Sequence, residues 1–109
     1  MSTDRELLEL AAKAAGYAVE IAEMGGDTVG RWLPGPDKKP GFLFWQPLRE
    51  DGDALRLAVK LGFSIITEPF FVRIHGINDA LLVREEVVLN GYDATRRAIV
   101  RAAAELAKD

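Results

Sequence analysis

Gly41-Phe42-Leu43-Phe44-Trp45 decides the fold class, because every side chain after the glycine is bulky and apolar and successive side chains of a strand face opposite ways. A strand apolar on both faces is stable in water only when both sides of its sheet are covered, which predicts helices packed on two faces. Just before it, Pro34-Gly35-Pro36-Asp37-Lys38-Lys39-Pro40 holds three prolines that forbid a central strand, so Gly35–Pro40 reads as an exposed loop. Just after it, Asp51-Gly52-Asp53 offers carboxylate caps for a helix. Ala54, Leu55, Ala58 and Val59 form that helix's core stripe, Asp53, Arg56 and Lys60 its wet face, and Gly62 its end.

Towards the amino terminus, Thr3 followed three residues later by Glu6 is a capping box that starts a first helix. Its core face is Leu8, Ala11, Ala12 and Ala15, and Gly16 is its stop. From Tyr17 the period changes to two, with Tyr17, Val19 and Ile21 on one side. Met24-Gly25-Gly26-Asp27 breaks that strand, and Thr28–Leu33 reads as a short edge strand. Towards the carboxy terminus, Phe63–Thr67, Phe70–His75 and Leu81–Leu89 read as strands joined by Glu68-Pro69 and by the turn Gly76-Ile77-Asn78-Asp79. Asp93 caps a third helix whose Thr95, Ala98, Ile99, Ala102, Ala103 and Leu106 line one face. Leu10, Leu57 and Leu61 fall outside the narrow core stripes, which calls for cover by neighbouring helices or by a second subunit.

These elements predict an α+β domain spanning residues 1–109, a three-layer α/β/α sandwich. Its sheet is expected to be single, mostly antiparallel and of four to six strands, with three helices distributed over both faces. At 109 residues with 49% hydrophobic content the chain supports one core. A net charge of -3 supplies no global positive field for a polyanion, so sequence-independent nucleic-acid binding is disfavoured. With no cysteine there is no disulfide, thiolate nucleophile or cysteine-held zinc, and the cytoplasm is the expected location. No secretory signal or membrane span is read.

The run Trp45-Gln46-Pro47-Leu48-Arg49-Glu50-Asp51-Gly52-Asp53-Ala54-Leu55-Arg56-Leu57-Ala58-Val59-Lys60-Leu61-Gly62 resembles the signature of the phage ABA sandwich domain family. Ala94-Thr95-Arg96-Arg97-Ala98-Ile99-Val100-Arg101-Ala102-Ala103-Ala104-Glu105 is similar to that family's closing helix. The resemblance implies an α/β/α sandwich in a phage or prophage protein, and it implies no activity.

Three constellations are candidates for chemistry. Glu50, Asp51 and Asp53 would offer oxygen ligands to magnesium or calcium, or would simply cap a helix and meet the positive end of its dipole. Trp45 and Gln46 would give a planar ligand an aromatic wall and an amide, with Arg49 or Arg56 neutralising a phosphate; otherwise Trp45 is core at a strand-to-helix corner. His75 is the sole histidine and reads as a polar residue at a strand end rather than a catalytic base. Arg96, Arg97 and Arg101 read as a solvated face rather than a nucleic-acid patch, because Glu105 shares the surface and the chain is acidic, with Arg101 and Glu105 as an i, i+4 pair.

The functional expectation is a phage or prophage accessory protein working as a non-enzymatic binding module for a host or phage protein or a small nucleotide-like ligand. The ligand residues would be Trp45, Gln46, Arg49, Asp51, Asp53 and Arg56, without catalytic residue, metal or cofactor. The alternatives are a small metal-dependent phosphate-handling enzyme using Asp51 and Asp53, and a self-associating structural subunit such as a homodimer.

Overall fold

Helix α1 (Asp4–Ala15) begins where Thr3 accepts the N–H of Glu6 at 3.1 Å, while the Thr3 hydroxyl donates to the Glu6 carboxylate at 3.2 Å. Those bonds satisfy a donor left open at the helix start. Its end is a left-handed Gly16 at φ 73°, from which Tyr17 N–H reaches back to the Ala12 carbonyl at 2.9 Å. The computed structural model describes residues 3–33 and 44–108. The expected Gly35–Pro40 loop, and Gly41, Phe42 and Leu43 of the deciding strand, lie outside the described residues.

Strands β1 (Val19–Met24) and β2 (Asp27–Trp32) form a hairpin. Gly25 and Gly26, with φ of 60° and 88°, make the two-residue turn whose twist suits such a pair. Strand β3 (Phe44–Trp45) pairs with the far side of β2. The segment expected at an edge is therefore central in its sheet, and Tyr17 lies ahead of β1 in the helix cap. After helix α2 (Asp51–Leu61) come β4 (Ser64–Thr67), β5 (Phe71–His75) and β6 (Leu81–Glu86). These form a second antiparallel sheet in the order β4-β5-β6. Helix α3 (Gly91–Ala107) closes the described chain.

The chain is thus α+β, with three helices and two three-stranded antiparallel sheets among the described residues. Among the described residues the strands do not join into the single sheet of the sequence reading: β1, β2 and β3 pair with one another, and β4, β5 and β6, which follow α2, form a separate set.

Helix α3 lies at the centre, packed on α1, α2, β5 and β6. Its burial therefore extends well round the helix, taking in Ala94, Val100 and Ala104 besides the expected Ala98, Ile99, Ala102 and Ala103, whereas Leu106 is half-exposed. Val72, Ile74 and Val83 turn inward from the second sheet, while Ser64, Ile66 and Arg84 on its opposite face meet solvent. The helix starts at an Asn90 cap, whose side chain accepts the N–H of Asp93 at 2.7 Å, so Asp93 is not the cap but the residue capped. Arg101 pairs with Glu85 of β6, and Glu105 with Lys108, in place of the expected Arg101–Glu105 pair.

Candidate functional site

The expected site residues meet at the corner between β3 and α2. Trp45 pairs in register with Gly30, and a β-carbon at position 30 would stand 3.0 Å from the indole Cε3, so glycine is what admits the ring. Tyr17 packs edge-on against both Trp45 and Trp32, with centroid separations of 5.7 and 5.3 Å. At 1% exposure Trp45 is core, and the aromatic wall expected of it does not face an opening.

Beyond Trp45 the chain turns through Gln46-Pro47-Leu48-Arg49, with Glu50 N–H donating to the Gln46 carbonyl at 2.7 Å. Asp53, in the first turn of α2, closes this turn from the helix side. One carboxylate oxygen accepts the backbone N–H of Gln46 at 2.9 Å and the other accepts from Arg56 at 2.7 Å. Asp53 was read as part of the wet face, yet it is 4% exposed, the one buried charged residue among those described. Burial of a carboxylate is tolerable here because both oxygens are occupied and one partner is a cation. The N-cap position belongs to Glu50, which makes no side-chain capping bond, so the expected carboxylate caps at Asp51 and Asp53 are absent.

Asp51 points the other way. It receives Arg96 of α3 at 2.6 Å, and the same guanidinium donates to the Leu48 carbonyl at 3.0 Å, tying α3 to the corner. Arg96 was read only as part of a solvated face, although its side chain is 18% exposed. The partners lie 45 and 48 positions away, a separation that no local pattern encodes. Arg49 pairs with Asp27 of the first hairpin at 3.2 Å.

The structure therefore brings the backbone N–H of Gln46, rather than its expected side-chain amide, together with Asp53 and Arg56 beside Trp45, and directs Asp51 and Arg49 to separate partners. The paired carboxylates of the metal reading are split, each taken by its own arginine. Among the described residues no group of three histidine, cysteine, aspartate or glutamate side chains is placed to hold a metal ion. Burial pushes the Tyr17 phenol above its ordinary value; the Arg56 charge opposes that rise and the Asp53 charge adds to it. His75 ends β5 as expected, its Nδ1 3.0 Å from the Asp79 carbonyl oxygen.

Two surface features were not foreseen. An open cleft of about 370 Å³ between α1 and β1 is lined by Arg5, Glu9, Lys13, Tyr17 and Glu20. At one end of the second sheet Phe70, Val88, Leu89 and Tyr92 are 74%, 79%, 82% and 75% exposed. Val87 N–H donates to the Phe70 carbonyl at 2.9 Å, which joins the β4–β5 turn to the segment leading into α3. Their sequence signal was the apolar tail Val87-Val88-Leu89 beyond Glu86, which was read as more strand.

No helix among the described residues is long and apolar enough to cross a membrane. No family model matches the chain, and no curated protein or solved structure matches it either.

Proposed function

We propose that this chain is a non-enzymatic binding module that engages a protein partner through the apolar end of its second sheet. The observation that carries the reading is the group Phe70, Val88, Leu89 and Tyr92, each about three-quarters exposed or more. Several large apolar side chains exposed at one end of a small domain mark an interaction surface more readily than a structural need. Covering such side chains releases about 1.5–3 kcal/mol each when burial is complete. Glu68 and Glu86 flank the group, Glu68 bound to Arg73 and Glu86 without an ion-pair partner among the described residues. A partner with an apolar centre and a basic rim fits this arrangement.

The phage setting, the host cytoplasm and the complete three-layer α/β/α arrangement belong to the same proposal. Their support is the resemblance carried by Trp45–Gly62 and Ala94–Glu105. A metal-dependent phosphate-handling enzyme using Asp51 and Asp53 remains the alternative, with less support because the two carboxylates are bonded to different arginines.

Affinity capture from bacterial host cells, comparing the wild type with Phe70→Asp and Leu89→Asp, tests the proposal. The expected result is a protein enriched on the wild type and lost from both variants, with circular dichroism unchanged. Equal capture by all three, or a nucleotide that raises Tm in the wild type and in Leu89→Asp alike, would move the function away from this surface.

A further inference from the structure

We propose that two copies of this chain pair through β4 about a two-fold axis, joining their second sheets into one continuous antiparallel sheet. An edge strand presents a row of unpaired N–H and C=O groups, and proteins block unwanted pairing there with charges, prolines, bulges or very short strands. Among the described residues, the β1 and β6 edges carry such a device. The β1 edge holds Glu20 and Glu23, while β3 is described only over Phe44–Trp45. The β6 edge holds Arg84, Glu85 and Glu86 and is interrupted by a register shift at Leu82. Strand β4, Ser64-Ile65-Ile66-Thr67, has no charge, no proline and no register shift.

The backbone geometry fixes the register of that pairing. Glu68 N–H donates to the Phe71 carbonyl at 2.8 Å, so its backbone groups point at β5. In an antiparallel ladder this direction alternates along the strand, so Ser64 and Ile66 share it, while Ile65 and Thr67 turn their N–H and C=O to the edge that no described strand pairs. Pairing cannot extend past either end of the strand: Phe63 N–H is already bonded to the Ala58 carbonyl at 3.0 Å, and Pro69 has no N–H to give. The two-fold register that uses every free group sets Ile65 opposite Thr67 of the partner subunit and Ile66 opposite Ile66 of the partner subunit.

A second copy is the occupant that this edge fits. An uncharged strand of β-branched residues finds in its own sequence a neutral partner with matching β-branched contacts. A two-fold arrangement also closes on itself, consuming the edge rather than propagating it. Ile66, 37% exposed on the outer sheet face, gains cover from its symmetry mate.

The chain has no cysteine, so a single introduced thiol reports this geometry without competition. Residues facing each other as a non-hydrogen-bonded antiparallel pair have Cα atoms ~4.5 Å apart, within disulfide reach. Under mild oxidation Ile66→Cys is expected to form a covalent dimer at least ~10-fold faster than Leu81→Cys, which is exposed on the same sheet face but away from the axis. Sedimentation of the wild type at about 100 µM is expected to show a dimer, a concentration suited to a small interface. Ile66→Lys is expected to sediment as a monomer with unchanged circular dichroism, and Leu89→Asp as a dimer. A monomeric wild type, a dimer that survives Ile66→Lys, or equal rates of cross-linking at the two cysteine positions overturns the proposal.

Discussion

The carboxylate of Asp53 holds the backbone N–H of Gln46 at 2.9 Å, so the first turn of α2 is pinned to the residue that follows β3. Its second oxygen is taken by Arg56. Asp53→Ala leaves a buried amide and one face of a guanidinium without an acceptor, at an expected cost of about 3 kcal/mol. Asp53→Asn keeps an acceptor for the amide and loses the ion pair, at a cost of about 1–2 kcal/mol. Asp51 is 72% exposed at its side chain, and its bond to Arg96 is solvent-screened, so Asp51→Ala should cost under about 1 kcal/mol. Urea denaturation of the three variants measures this order, and equal losses at positions 51 and 53 would contradict it.

Gly30 and Trp45 depend on each other across the first sheet. A methyl group at position 30 would meet the indole at 3.0 Å and the Trp45 carbonyl oxygen at 3.2 Å. Neither can retreat easily, because one is a buried ring and the other is backbone. Gly30→Ala should therefore destabilise the chain by about 1–3 kcal/mol, even though alanine suits a strand better than glycine does. Tryptophan fluorescence during denaturation reads this loss, with Gly91→Ala as the comparison because nothing lies within 4 Å of its added carbon.

Tyr17 gives stability a dependence on alkaline pH. The unfolded phenol ionises near 10.0 and the folded one higher, because burial disfavours the charged form. Above about pH 10 the unfolded state therefore binds fewer protons than the folded state, and stability falls as pH rises. The contribution is fully present below the unfolded pKa and is lost as pH climbs through the folded one. Tyr17→Phe should show a shallower loss over that alkaline range while keeping most of its neutral-pH stability. Urea midpoints of both proteins from neutral to strongly alkaline pH give the difference, and parallel curves would contradict the assignment.

Local chemistry was legible wherever the determinant lay within a few residues. Thr3 with Glu6, the stops at Gly16 and Gly62, and the strand-end place of His75 are all where the sequence put them. What escaped depends on distant partners. The place of β2 follows from pairing with both β1 and β3, and the partners of Arg96 and Arg101 come from other elements. The candidate site shows the same limit. A Trp-Gln beside two aspartates reads equally as a ligand corner or a folded corner, and only the inward turn of Trp45 and the bonds of Asp53 distinguish them.

Helix α2 illustrates how a periodic pattern fixes a helix without fixing its rotation. Both Ala54-Leu55-Ala58-Val59 and Ala54-Leu57-Ala58-Leu61 satisfy helical spacing, and the sequence reading took the first. The structure takes the second: Ala54, Leu57 and Ala58 are buried and Leu61 partly so, whereas Leu55 and Val59 are 58% and 72% exposed. The rotation follows from Asp53, which must reach the Gln46 amide and so turns its own side of the helix inward. Leu57, at 0% exposure, should cost about 2–5 kcal/mol when truncated to alanine. Leu55→Ala and Val59→Ala should stay within about 0.5 kcal/mol of the wild type, as exposed substitutions do. Denaturant midpoints of the three variants separate the two rotations, and a Leu55→Ala loss matching that of Leu57→Ala would restore the stripe that the pattern alone suggested.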